Sequence, residues 1–297
     1  MDITTFLQQM INGFSLGSMY ALIAIGYTMV YGVLRLINFA HGDIMMVGAF
    51  LVYLAHAAGL GFVPAVAVGI AGAVAVGVLT DKVAYKPLRD APKISLLITA
   101  IGISFFLENL FNVLFGGVPR AFKAPESLTK ILHLGSIYLP TTAIIIPLIT
   151  LLILAGVLWI LYRTKYGMAI RALAFDIPTV KLMGINADGI ISLVFALGSA
   201  LAAVGGIFYA ISYPSIDPLM GIIVGLKAFA AAVLGGIGSV TGAVLGGFIL
   251  GFTEILVVAL FPELGGYKDA FAFFFLILVL LFRPTGIMGE DLDRSRF

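Results

Sequence analysis

Residues 140–162 read PTTAIIIPLITLLILAGVLWILY, 23 positions without a charged side chain. As a helix this stretch is about 35 Å long, enough to cross a hydrocarbon core about 30 Å thick, and in lipid only a helix or a closed barrel satisfies its own backbone polar groups. Comparable apolar runs lie at 11–34, 39–59, 62–80, 94–116, 189–212, 221–236, 240–260 and 269–284, the run at 221–236 being short. The chain has 297 residues, 61% hydrophobic and 11% charged, against roughly 25% charged in an ordinary soluble domain. A water-soluble core of this length cannot hide so much apolar surface. The expectation is an all-α, polytopic membrane protein of about eight or nine transmembrane or partly re-entrant helices. No polar stretch reaches the roughly 50 residues of a foldable soluble unit, so 1–297 reads as a single transmembrane domain.

Composition removes several function classes. A net charge of +2, with basic residues scattered over separate loops, implies no nucleic-acid partner. The chain has no cysteine, hence no disulfide, thiolate nucleophile or cysteine-bound metal. Met1 to Thr5 lack the basic start of a cleaved signal, so the first run is read as a retained span.

Loop charge sets the expected orientation. With nine alternating segments and the N-terminus outside, Arg35, Lys82, Lys86, Arg89, Lys93, Arg163, Lys165, Arg171, Lys181, Arg283, Arg294 and Arg296 fall inside. Arg120, Lys123, Lys130 and Lys268 fall outside, and Lys227 lies within a segment. By the positive-inside rule this places the N-terminus outside and the C-terminus in the cytoplasm. The glycine-rich 221–251 region fits a hairpin, two short helices or a re-entrant pair.

The cytoplasmic loop 163–188 is the most patterned polar segment. From Met168 to Met183, the residues Ala169, Ala172, Leu173, Asp176, Val180 and Met183 recur at helical spacings. Pro178 is tolerated only in a first turn, so the loop reads as two short helices, the second starting near Ile177 with Asp176 as N-cap and Gly184 as stop. A plain surface linker fits the same pattern.

Gly235, Gly236, Gly238 and Gly242 imitate a dinucleotide fingerprint, but Thr241 stands where a glycine is needed and no strand precedes them. No Gly-Lys pair occurs in the chain, so a Walker A loop is absent and any ATP hydrolysis belongs to another polypeptide. Gly238, Gly242 and Gly246, with Gly247 and Gly251, form GxxxG steps suited to close helix packing. Asn38, His41 and Asp43 form a second polar group. Two candidate ligands fall short of a metal site, so these residues read as helix-capping or gating groups, with a place on the transport path as the minority alternative.

Together, Asn38-Phe-Ala-His41-Gly-Asp43-Ile-Met-Met, the loop from Arg171-Ala172 through Asp176 to Gly184-Ile185-Asn186, and Gly235-Gly-Ile-Gly238-Ser-Val-Thr-Gly242 resemble the shorter permease subunit of the branched-chain amino-acid ABC transporter family. The resemblance covers essentially the whole chain. It implies a fold related to type II ABC importer permeases, and a subunit that is no enzyme and has no cofactor. The implied partners are a second permease, as a heterodimer, two cytoplasmic ATPases docked on the 163–188 loop, and a periplasmic protein delivering leucine, isoleucine or valine. The implied location is the bacterial inner membrane. Paralogues for other amino acids, amides or urea look similar.

Three ionisable residues fall inside spans, where charge is costly and marks function by default. Glu108 has Asn112 one turn on along the same face, and Lys227 and Glu254 flank the glycine-rich turn at depths that lysine reach nearly closes. In a stand-alone secondary carrier, the alternative class, Glu108, Glu254 and Lys227 would form an ion relay. A purely structural subunit is the third reading. Orientation is directly testable because the chain is cysteine-free. Thr4→Cys is expected to react with an impermeant thiol reagent in intact cells, and Thr179→Cys only after permeabilisation. The reverse pattern would invert the topology.

Overall fold

The computed structural model describes residues 2–135 and 137–289. Arg294 and Arg296, counted above with the cytoplasmic tail, lie outside the described residues. Nine apolar helices match the nine runs: α1 (Ile3–Leu34), α2 (His41–Ala57), α3 (Phe62–Leu79), α4 (Lys93–Phe115), α6 (Thr142–Arg163), α9 (Ala187–Ser212), α10 (Met220–Gly235), α11 (Val240–Leu260) and α12 (Lys268–Phe282). Three shorter helices complete the helical set: α5 (Glu126–Thr129), α7 (Lys165–Phe175) and α8 (Ile177–Leu182). Seven of the apolar helices are long enough to cross a membrane, α3 being extended by a π turn at Thr80–Tyr85 and a 3₁₀ turn at Lys86–Leu88, and α12 preceded by one at Pro262–Tyr267. The other two, α2 and α10, are short, with 17 and 16 residues.

Two small ladders were not anticipated. β1 (Arg120–Ala121) pairs antiparallel with β4 (Ser215–Ile216), and β2 (Ile131–Leu134) with β3 (Ile137–Pro140). They occupy the end of the bundle away from α7 and α8, where runs too short and mixed to show a period of two give no sequence signal.

Helix α1 is the axis of the bundle, buried from Ser15 through Val30 and packed by α11, α9, α10 and α6. Since lipid tails are as apolar as leucine, the hydrophobic effect does little to hold such helices together, and close backbone approach must supply the attraction. The sequence provides it as Gly13, Gly17 and Ala21 on α1 facing Gly247, Gly251 and Phe252 on α11. A β-carbon at Gly17 would sit 2.8 Å from the Phe248 Cα, and one at Gly247 would sit 2.6 Å from the Ala21 nitrogen. Gly242 and Gly246 likewise lie against Gly235 and Ala231 of α10. Gly238 departs from the GxxxG expectation. It lies in the turn between α10 and α11 with φ +102° and has open space around it, so turn geometry, not packing, accounts for it. Gly236, at φ +110°, is also a turn residue, and it abuts the backbone of Gly289.

The unusual feature is where α2 and α10 begin. A β-carbon at Gly26 of α1 would meet both the His41 ring and the Gly198 carbonyl of α9. Gly198 is 11 residues, about 16 Å, into the 26-residue α9. The first turn of α2 therefore lies near mid-bundle, reached by residues 35–40, which turn back inward after α1 ends at Arg35 in a left-handed conformation, φ 52°. Gly42 in turn abuts Gly221 and Gly225 in the first turns of α10. Two short helices thus start beside one another in the interior and run to opposite ends. The expected side-chain cap of α2 is not formed. Its N-cap is Ala40, and the Asn38 carboxamide oxygen instead accepts a 2.7 Å hydrogen bond from the Tyr85 hydroxyl.

Replacing Gly17 by leucine is expected to cost at least the 1–3 kcal/mol typical of overpacking. That should lower the thermal midpoint in detergent, while Gly102→Leu, at a position with open space, should leave it unchanged. Equal midpoints for the two variants would refute the α1–α11 packing.

Candidate functional site: a mid-bundle cavity and a surface docking element

Two regions carry the polar residues singled out from the sequence. The first is the element α7–α8. Thr164 caps α7, accepting from the Gly167 amide at 3.1 Å, and Gly167 packs so tightly on the Ile160 and Leu161 carbonyls that no side chain fits there. The helix consequently starts at Lys165, not at Met168, and folds back against α6. The chain breaks at Asp176, and Pro178 sits in the first turn of α8, the place where proline costs least. Asp176 is the N-cap residue but makes no backbone cap bond; its carboxylate takes the Thr179 hydroxyl instead. Gly184, at φ +77°, ends α8 in the left-handed conformation. Asn186 caps α9 through a 3.0 Å bond from the Gly189 amide.

Ala169, Leu173 and Val180 face inward, with Ala172 and Ile185 half-buried. Met183 does not join that face, because the break at Asp176 resets the helical phase; it is 73% exposed. With Phe175 at 79% and Leu182 at 88% exposure it makes an apolar tip that the periodicity did not reveal. The missed signal was a break in phase, which leaves large apolar residues with no buried face to join. Arg171 remains exposed, its guanidinium 5.0 Å from the Tyr162 ring. Arg35 donates to the Ala174 carbonyl at 3.3 Å, tying α7 to the segment that leads into α2.

Beside this element lies a charge cluster not singled out from sequence. Asp81, fully buried in the π turn, accepts from Ser192 at 2.6 Å and pairs with Arg89. Arg89 also reaches Asp188 at 2.7 Å, and Lys86 reaches it at 2.8 Å. These residues lie in two loops that read as carriers of topology charge, and no spacing rule connects positions 81, 89 and 188.

The second region is in the interior. Asp43, in the first turn of α2, is 1% exposed, and its Oδ2 lies 2.5 Å from the Ser104 hydroxyl of α4. The same hydroxyl is 3.2 Å from Glu108 Oε1. Carrying one proton, it donates to one carboxylate at a time. Asp43, Ser104 and Glu108 line a cavity of about 260 Å³ bounded by the first turns of α10 at Gly221 and Gly225. His41 lies outside it, its ring against Tyr27 at 4.5 Å. Asn112 is exposed and separate, so the polar stripe expected with Glu108 does not extend to it.

Lys227 and Glu254 meet. Lys227 Nζ is 2.9 and 3.0 Å from the two carboxylate oxygens, and the Tyr20 hydroxyl donates to Oε2 at 2.8 Å. Asp269 lies 2.5 Å from Lys227, and Lys268 lies 3.4 Å from Glu254. This network joins α1, α10, α11 and α12 and leaves little capacity for an ion relay. The described residues contain no cluster of three or more metal-ligating side chains.

Breaking a buried pair costs about 3–5 kcal/mol, whereas replacing both partners by apolar groups is often neutral. Lys227→Met is therefore expected to abolish recovery of folded protein, and Lys227→Met with Glu254→Met to restore it, as read by size-exclusion profile. A double variant that folds but no longer supports uptake would move the pair from structure to the path.

A family model described as the permease component of branched-chain amino acid transport systems matches residues 9–280. The high-affinity branched-chain amino acid transport permease BraD of Pseudomonas aeruginosa is 42% identical over 97% of both chains. LivH of Salmonella typhimurium, described in the same terms, is 43% identical over 96% of both. A more distant relative, the xylose transport permease XylH of Escherichia coli, is 35% identical over 42% of this chain and 34% of its own. No solved structure matches. With a family match over nearly its full length and relatives above 40% identity across it, the chain belongs to the branched-chain amino acid transport permease family.

Proposed function

We propose that this chain is one permease subunit of an ATP-driven importer for leucine, isoleucine, valine or similar amino acids. Family membership gives the transport class. The observation that carries the energy-coupling part is the α7–α8 element, which has one face packed on the bundle and an apolar tip of Phe175, Leu182 and Met183 left uncovered. Uncovered apolar groups on a short, well-braced element are characteristic of an interaction site. In this reading α7 and α8 seat a cytoplasmic ATPase, with Arg171, Ala172, Asp176, Gly184, Ile185 and Asn186 shaping the element and the tip providing contact. The end bearing α7 is then the cytoplasmic one, with the N-terminus outside.

Movement at the docking element has a mechanical route to the interior. Arg35 holds α7 at the Ala174 carbonyl, and three residues further on Asn38 is held by Tyr85. Through Arg89, Asp81 and Asp188 tie the turn after α3 to the start of α9, the helix that follows α8. A second permease subunit is expected to cover the open side of the Asp43 cavity, since acidic groups do not face lipid tails. Two ATPases and a periplasmic binding protein complete the assembly, in the inner membrane of a bacterium.

Leu182→Asp and Asp176→Arg are expected to reduce recovery of ATPase subunits on the purified permease by about tenfold or more while leaving the permease pair intact. Normal recovery with both would contradict docking at this element. In vesicles, uptake should require ATP and the ATPase subunits. Uptake driven by a proton gradient without them would replace this reading with a secondary carrier.

A further inference from the structure

Asp43 Oδ1 has no hydrogen-bond partner although the residue is 1% exposed and lines the mid-bundle cavity. Glu108 shares the cavity, and neither carboxylate belongs to an ion pair among the described residues. A buried acceptor without a donor is costly and calls for an explanation. Here the surroundings supply one. Asp43, Glu108 and the Ser104 oxygen offer three acceptors in one place, and an ammonium group has three donors. Two carboxylates and a hydroxyl fall short of the six to eight oxygens that calcium requires, and the described residues hold no third acidic or histidine ligand nearby.

Next to Asp43, α10 begins with Leu219 as N-cap and no side chain accepting from its first-turn amides. Of the first three amides, Met220 and Ile222 already donate to the Asp217 and Leu219 carbonyls at 3.2 and 3.1 Å, so the Gly221 amide, at the positive end of the helix dipole, is the group left to meet a carboxylate. The dipole of α2 is already offset by its own Asp43. Gly221 admits this arrangement, because a β-carbon there would lie 2.6 Å from the Gly42 carbonyl oxygen and 2.9 Å from Asp43 Oδ1. The remaining walls, among them Phe39, Ile101, Phe105 and Leu226, are apolar. A volume of about 260 Å³ is just below the roughly 300–1,000 Å³ of drug-sized ligand pockets.

We propose that this cavity is a way station for the transported amino acid, its α-ammonium group held by Asp43, Glu108 and Ser104, its α-carboxylate at the start of α10 and its aliphatic side chain on the apolar wall. The assignment rests on the amino-acid importer reading and adds the substrate contacts. Binding at this point is transient, since the carboxylate of the zwitterion meets a helix start and no cationic side chain.

The test uses the complete complex in proteoliposomes with its binding protein and ATP. Ile101→Cys places a single thiol at the cavity wall of a cysteine-free chain. During turnover, a cationic methanethiosulfonate is expected to label this chain at least tenfold faster than an anionic one of similar size, and leucine-loaded binding protein should slow labelling. Adding Glu108→Gln, which keeps the shape of the residue, should remove most of the charge preference. Equal rates for the two reagents, absence of labelling, or a charge preference unaffected by Glu108→Gln would overturn the site. The unsubstituted complex separates the two readings: if it carries neither leucine, isoleucine, valine nor any similar amino acid, the importer reading fails, whereas normal uptake with a charge-blind Ile101→Cys defeats the way station alone.

Discussion

The backbone of Gly42 against Gly221 and Gly225 is the contact on which the rest of the interior depends. It lets two helices start side by side within the bundle, one running to each end. In a membrane, irregular backbone at depth survives only when buried in protein or facing a cavity. Residues 35–40 and 213–219, which lead into the two helices, meet that condition in part by side-chain and ladder bonds: Asn38 with Tyr85, and Ile216 in register with Arg120. The resulting interior combines helix starts with buried carboxylates, a pairing that continuous helices cannot produce at mid-depth.

Two kinds of glue surround this centre. Small residues bring α1 to α11 and α10 to α11 at backbone distance, giving dispersion contact without any help from water. The Lys227–Glu254 network then ties α10 and α11 to α1 and α12 by charge. Because its members are paired to one another, the network serves the scaffold, and among the described buried acidic residues only Asp43 and Glu108 have no cationic partner. The two clusters look alike in sequence, as lone charges in apolar runs, and differ only in whether a partner is within reach.

That contrast shows what the sequence could and could not reveal. Nine apolar runs located nine helices, since length and hydropathy report on a helix without its neighbours. Pro178 located the break between α7 and α8, because its ring excludes it from a helix interior. The pairing of Lys227 with Glu254 followed from counting residues around a turn. The retracted start of α2 was invisible, since His41, Gly42 and Asp43 look the same in a helix that begins at the surface. Gly238 misled because GxxxG spacing does not distinguish a packing glycine from a turn glycine. Asp81, Arg89 and Asp188 come together only through folding, as do the exposed Phe175, Leu182 and Met183.

The central claim is that α2 and α10 start together inside the membrane and form a polar centre there. A structure of the assembled complex in lipid nanodiscs tests it most directly. The account predicts Gly42 and Gly221 in backbone contact near the middle of the lipid slab, with Asp43 and Glu108 facing the same protein-enclosed space. A structure in which α10 starts at headgroup level, or in which Asp43 and Glu108 face lipid, would contradict it.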